Sequence, residues 1–245
     1  MGIDAKKGII LINLGSPDST DEKDLKKYLD EFLMDERVID KPWLLRALLV
    51  KGIIVPFRAA KSAEAYKKIW TDEGSPLIVF TKRLQKALQQ RIEEPVEVAM
   101  RYGNPTAEEA YSSLLKKAPG LEEVVILPLY PHYAMSSYET AVEEMKKVHK
   151  EKNYNFRLSF VPPFYNDQEY IKALSENVRS YLTNDFDHIL FSFHGVPGRH
   201  IRKSDITGHH CLVTDTCCET DSPAHAFCYR HQVRTTTRLV CEELG

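Results

Sequence analysis

The sequence predicts an α/β protein built on a doubly wound parallel sheet in two domains, the second incomplete in this chain. Three observations predict it. Short apolar runs alternate with amphipathic stretches of helical length along all 245 residues. The runs are continuously apolar rather than alternating, as strands covered on both faces must be. Four runs precede Pro162-Pro163 and one follows, so the first domain has strands enough for a sheet and the second does not.

The elements follow in order. Gly8 to Leu14 reads as a buried strand, then a Gly-Ser-Pro-Asp turn and a helix from about Asp21 to Met34. A helix from about Pro76 to Arg91 leads to a strand over Val96–Arg101, and Thr106 is placed to cap the next helix. A strand over Glu123–Leu129, a helix from about Ser136 to Lys150 and a strand over Phe156–Val161 complete the first domain, residues 1–165. The second, 166–245, offers a helix near 167–182, a fifth strand over His188–Phe193 and a final helix near 235–244. Helices between strands imply right-handed crossovers, and ligands of such folds bind at the strands' carboxyl ends. That rule selects Leu14-Gly15-Ser16, Arg101-Tyr102, Tyr130 to Tyr133 and Phe193-His194-Gly195.

Composition narrows the class. A net charge of −2 with well-mixed signs argues against nucleic acid as the main partner. No run is long and apolar enough to span a bilayer, and Met1–Lys7 is too short and charged for a secretory signal, which points to the cytoplasm. Trp43–Phe57 is unusually apolar yet carries Arg46 and Lys51; it reads either as a core helix or as an exposed lip for a greasy ligand or membrane surface.

All five cysteines fall after position 210, and four make the pattern Cys211-x5-Cys217-Cys218-x9-Cys228, with His209, His210 and His225 nearby. Without an export signal disulfides are a poor default, whereas four thiolates suit a metal centre. Adjacent cysteines favour a [2Fe–2S] cluster over structural zinc, the second choice; unligated thiols are the third reading. The polar insert, 206–229, is not expected to fold on apolar burial alone. Cys241 lies in an amphipathic helix and is expected to pack rather than to ligate.

His194, after an Ile-Leu-Phe run and before Gly195, would face the ligand crevice, where imidazole binds metal or takes a proton. Five motifs occur together: Asn13-Leu14-Gly15-Ser16-Pro17, Gly74-Ser75-Pro76, Arg101-Tyr102-Gly103, Leu129-Tyr130-Pro131-His132-Tyr133 and Ser192-Phe193-His194-Gly195-Val196-Pro197. In this order they resemble the ferrochelatases, and the resemblance runs from Gly8 through the last helix.

The resemblance implies two similar domains around a porphyrin, with ferrous iron and protoporphyrin IX as substrates. It assigns metal insertion and pyrrole deprotonation to His194 and porphyrin contact to Leu14, Arg58, Tyr66, Ser75 and Tyr130. Relatives carry Tyr or Met at the position of Leu14, which cannot ligate metal. Arg58 also reads as a surface cation, and Ser75 as a helix cap. The family's second metal-site residue, a glutamate, falls beyond residue 245. Some bacterial members carry a [2Fe–2S] cluster on a cysteine insert. The rivals are a cobalt or nickel chelatase of related fold and a non-enzymatic tetrapyrrole carrier or iron–sulfur sensor.

Overall fold

Four of the apolar runs pair into one all-parallel sheet: β1 (Lys7–Ser16), β2 (Val96–Gly103), β3 (Glu123–Pro128) and β4 (Arg157–Phe160), in the order β2-β1-β3-β4. The computed structural model describes residues 5–182 and 188–245; of the charged N-terminus, residues 1–4 lie outside them. The chain divides into two compact units, Met1–Leu129 with Glu139–Val161, and Tyr130–Tyr138 with Pro162–Gly245.

In the first unit the sheet is flanked by α1 (Glu22–Leu33), α2 (Trp43–Leu49), α3 (Val55–Ile69), α4 (Pro76–Gln89), α5 (Ala107–Lys117) and α6 (Thr140–Glu151). Alternate residues of β1 serve opposite faces. Leu11 packs with Val98, Met100 and the α4 residues Leu77, Ile78 and Leu88, while Gly8 faces Leu114 of α5. Thr106 caps α5 in a reciprocal box with Glu109: its hydroxyl accepts from the Glu109 N–H, and the Glu109 carboxylate accepts from the Thr106 N–H. Because β1 lies between β2 and β3, the strand order reverses at β1, and the crevice beyond Leu14–Ser16 is the sheet's switch point.

Trp43–Phe57 forms an exposed lip rather than a core helix. It runs through α2, one π-helical turn (Val50–Ile54) and the start of α3. Trp43, Leu44, Leu48 and Phe57 are 65–80% exposed, while Val50, Val55 and the Arg46 side chain face inward.

The second unit holds α7 (Gln168–Arg179), α8 (Gly198–Lys203), a 3-10 turn (Pro223–Phe227) and α9 (Tyr229–Leu244). Asp167 caps α7 by accepting from the Tyr170 N–H, and Arg179 of α7 donates to the Glu243 carbonyl of α9 at 2.8 Å. The fifth expected strand is not formed: 188–197 carry no regular structure, and Leu190 is 91% exposed. An apolar run becomes a strand only when a neighbour takes its N–H and carbonyl groups, and among the described residues this unit offers no such neighbour.

Three further expectations need correction. The last helix starts at Tyr229, since no Gly or Pro interrupts it from there to Leu244. Cys241 on it is exposed, not packed. The insert also buries more than its polarity suggests, because its own cysteines serve as apolar groups. Cys211 and Cys228 pack with Ile201 and Ala224, with Val196 and Leu212 against them. Among the described residues no helix is long and apolar enough to cross a membrane.

Candidate functional site

At the switch point the backbones of β1 and β2 run together to their ends, Gly15 opposite Tyr102 and Ser16 opposite Gly103. Gly15 has φ +105°, and a Cβ there would lie 1.7 Å from the Tyr102 carbonyl oxygen, so only glycine fits. Asn13 fixes the strand end by donating to the Thr81 hydroxyl of α4 at 3.0 Å while accepting from the Leu14 N–H at 2.8 Å. Leu14 is half-buried. The buried Tyr28 hydroxyl donates to the Gly15 carbonyl at 3.3 Å, and the Tyr28 ring meets Tyr66 edge-on at 6.4 Å. Burial raises the pKa of Tyr66, so its phenol stays protonated. Arg58 is exposed on α3. Ser75 is buried at the first position before α4, yet its hydroxyl makes no capping bond, so the cap alternative is not realised.

Arg101 and Tyr102, which the strand-end rule offers to a ligand, are instead committed to the protein. The Asp35 carboxylate accepts from the Arg101 guanidinium, the Tyr102 hydroxyl, the Thr140 hydroxyl and the Arg37 N–H. Burial alone would raise the Asp35 pKa; these hydrogen bonds and the Arg101 charge overcome it and hold the carboxyl below its usual range. Asp35 lies 66 residues from Arg101, and no sequence signal linked them.

In the second unit Tyr130 is half-buried and His194 exposed. The His194 N–H donates to the Tyr229 hydroxyl. The Tyr229 ring meets His132 edge-on at 6.0 Å, and His132 meets Phe193 at 5.8 Å. His132 Nε2 lies 2.9 Å from the Thr236 hydroxyl, and burial pushes its pKa down to about 4. His132 is therefore neutral at physiological pH and acts as a packing and hydrogen-bonding residue. His194, with its imidazole exposed, is the histidine of this turn open to a ligand.

Four cysteines gather in the insert. Cys211, Cys217, Cys218 and Cys228 are all under 9% exposed. Their thiols lie close together: Cys211 hydrogen-bonds with Cys228 and Cys218 with Cys217, and Cys228 acts on Cys218 as well. Burial, then the neighbouring thiols, push Cys211 and Cys218 up to about 12, so without a cation both stay protonated. Among the described residues no three His, Cys, Asp or Glu side chains are placed to hold a metal ion.

Around the thiols stands a polar shell. His210 and His225 donate from Nε2 to the Cys217 carbonyl at 2.7 and 3.0 Å, and His231 donates from Nδ1 to the Cys218 carbonyl at 2.9 Å. The His225 and His231 rings stack at 3.6 Å. Asp205 accepts from the N–H groups of Thr207, His210 and Cys211, fixing the turn that presents Cys211. Sequence reasoning found the cysteines and two of these histidines but missed His231, Asp205 and Arg230. Arg230 and His231 fall in the first turn of α9, two and three residues after Cys228, and knowing where that helix begins was the missing signal.

An open parallel sheet with a glycine-lined switch point, followed in the chain by a histidine-bearing turn, belongs here to an α/β porphyrin metal chelatase, a lyase of heme biosynthesis. The Ferrochelatase family model matches residues 6–245. The ferrochelatase of Opitutus terrae is 45% identical over 242 residues, covering 98% of this chain and 70% of the relative. Those of Ectopseudomonas mendocina and Pseudomonas fluorescens are each 47% identical, covering 97% of this chain and 69% of the relative. The chain belongs to the ferrochelatase family.

Proposed function

We propose that this protein inserts ferrous iron into protoporphyrin IX, with His194 at the metal-insertion site. The observation that carries the reading is the exposed His194 imidazole, anchored through its backbone to Tyr229, in a chain whose family membership covers residues 6–245. A porphyrin is a flat apolar plate with acidic edges, so it calls for aliphatic and aromatic walls and a few cations or hydroxyls. Leu14, Tyr66 and Tyr130 supply walls, and Arg58 and Ser75 supply a cation and a hydroxyl. Insertion displaces two pyrrole protons and strips water from iron; an open imidazole receives a proton or hands over the metal. The Trp43–Phe57 lip, apolar and exposed, suits greasy substrate or peripheral contact with a membrane from the cytoplasmic side.

The four insert cysteines would hold a [2Fe–2S] cluster. What supports this reading is the donor set: four buried, free cysteines in one insert, two of them adjacent in the chain, offer the four thiolates such a centre takes. When bound, the cluster supplies a cross-link and a one-electron redox couple. The cysteines supply the thiolates, and the histidines on the Cys217 and Cys218 carbonyls hold the loop in place.

The test is anaerobic incubation of the purified protein with ferrous iron and either protoporphyrin IX or coproporphyrin III, following loss of porphyrin fluorescence. Protoheme formation is expected, and a preference for coproporphyrin would replace the proposed substrate. Visible absorption, iron and acid-labile sulfide on the same sample test the cluster; colourless protein with stoichiometric zinc would reject it. Serine at any of the four cysteines should bleach the colour, and serine at Cys241 should not.

A further inference from the structure

We propose that Arg230 sets the reduction potential of the cluster by donating to the sulfur of Cys217. The inference rests on the cluster reading above and goes beyond it, because it assigns an electronic role to a residue that is not a ligand.

Arg230 is the second residue of α9, two positions after Cys228, and is half-buried. Its Nη1 lies 3.8 Å from the Cys217 sulfur, and the Leu212 N–H points at the same sulfur from 3.4 Å. Cys217 thus receives two N–H groups, one of them cationic. Two nearby charged groups, Asp205 and Arg234, have partners of their own. The Asp205 carboxylate accepts four hydrogen bonds from Thr207, His210 and Cys211, and the next arginine along the helix, Arg234, lies 3.9 Å from Glu219.

The electronic consequence follows from charge. A [2Fe–2S] cluster on four thiolates is anionic and gains one more negative charge when an external donor supplies an electron. N–H groups and a cation at a ligand sulfur stabilise that extra charge more than they stabilise the oxidised form, so they raise the potential. Both donors converge on Cys217, so it is the Cys217 thiolate that they would stabilise when the cluster takes up an electron.

The test uses the protein purified without oxygen, with iron and acid-labile sulfide counted first and the midpoint then taken by dye-mediated titration with dithionite, read by electron paramagnetic resonance. Arg230→Met should lower the midpoint at unchanged iron and sulfide content. Arg230→Gln, which keeps an N–H but no charge, should fall between it and the unsubstituted protein. Arg234→Met, on the same helix but paired with Glu219, should leave the midpoint alone. An unchanged midpoint in Arg230→Met with the cluster intact would overturn the assignment. Where Arg230→Met fails to assemble the cluster, Arg230→Gln decides on the same reading. Absence of iron and sulfide from the unsubstituted protein would reject the cluster reading itself.

Discussion

Replacing Asp35 by alanine probes how the carboxyl ends of the first unit's strands are held. The Asp35 side chain is 4% exposed and that of Arg101 15%. Removal strands the guanidinium, the Tyr102 hydroxyl, 3.0 Å from the carboxylate, and the Arg37 N–H, 2.7 Å from it. Breaking a buried ion pair from one side costs about 3–5 kcal/mol. Arg101 keeps Glu144 at 3.7 Å and the Thr140 hydroxyl at 2.7 Å, so the lower end, about 3 kcal/mol, is expected. For a folding unit of this size that lowers Tm by roughly 6–12 °C. The pH dependence has a definite sign. The folded-state pKa of Asp35 is depressed, so its contribution is fully present above the unfolded value, about 3.9, and is lost as pH falls through the folded value. Urea unfolding of both proteins should therefore show the full difference at pH 7 and a shrinking one below about pH 4. A loss under about 1 kcal/mol at pH 7, or one indifferent to pH, would refute the network's role.

Two further substitutions address the switch point and the lip. Gly15→Ala should cost at least about 2 kcal/mol in urea unfolding, because positive φ and the Tyr102 carbonyl both oppose a side chain. Gly74→Ala, with φ +109° but open space around it, should cost only about 1 kcal/mol, and equal losses would remove the steric argument. Phe57→Ser at an 80% exposed position should leave stability unchanged yet weaken co-sedimentation with anionic vesicles about tenfold; unchanged binding would separate the lip from any membrane.

Much of this was legible in the sequence, and what was not has identifiable causes. β1, β2 and β3 are apolar runs largely buried in the sheet while β4 is only half-buried, and Thr106 with Glu109 announces its helix. His188–Phe193 carries the same kind of run, but a strand exists by pairing, and a run does not name its partner. The two faces of the Trp43–Phe57 segment were ambiguous because the choice between core and surface belongs to tertiary packing; the π turn around Gly52 is equally invisible in residue periodicity. At the candidate site three of the five motifs located the ends of β1, β2 and β3, and Gly74-Ser75-Pro76 located the start of α4. They did not reveal that Arg101 is taken by Asp35, or that a helix starting at Tyr229 brings Arg230 to Cys217 and a hydroxyl to the His194 backbone.

The central claim is that His194 carries out metal insertion on a porphyrin held by other residues. The most direct measurement compares His194→Ala with the unsubstituted protein in anaerobic iron insertion, alongside porphyrin binding by fluorescence quenching. Loss of a proton-accepting, metal-handling group should lower turnover at least about 10²-fold while porphyrin affinity stays within about twofold. Near-normal turnover in His194→Ala would contradict the account.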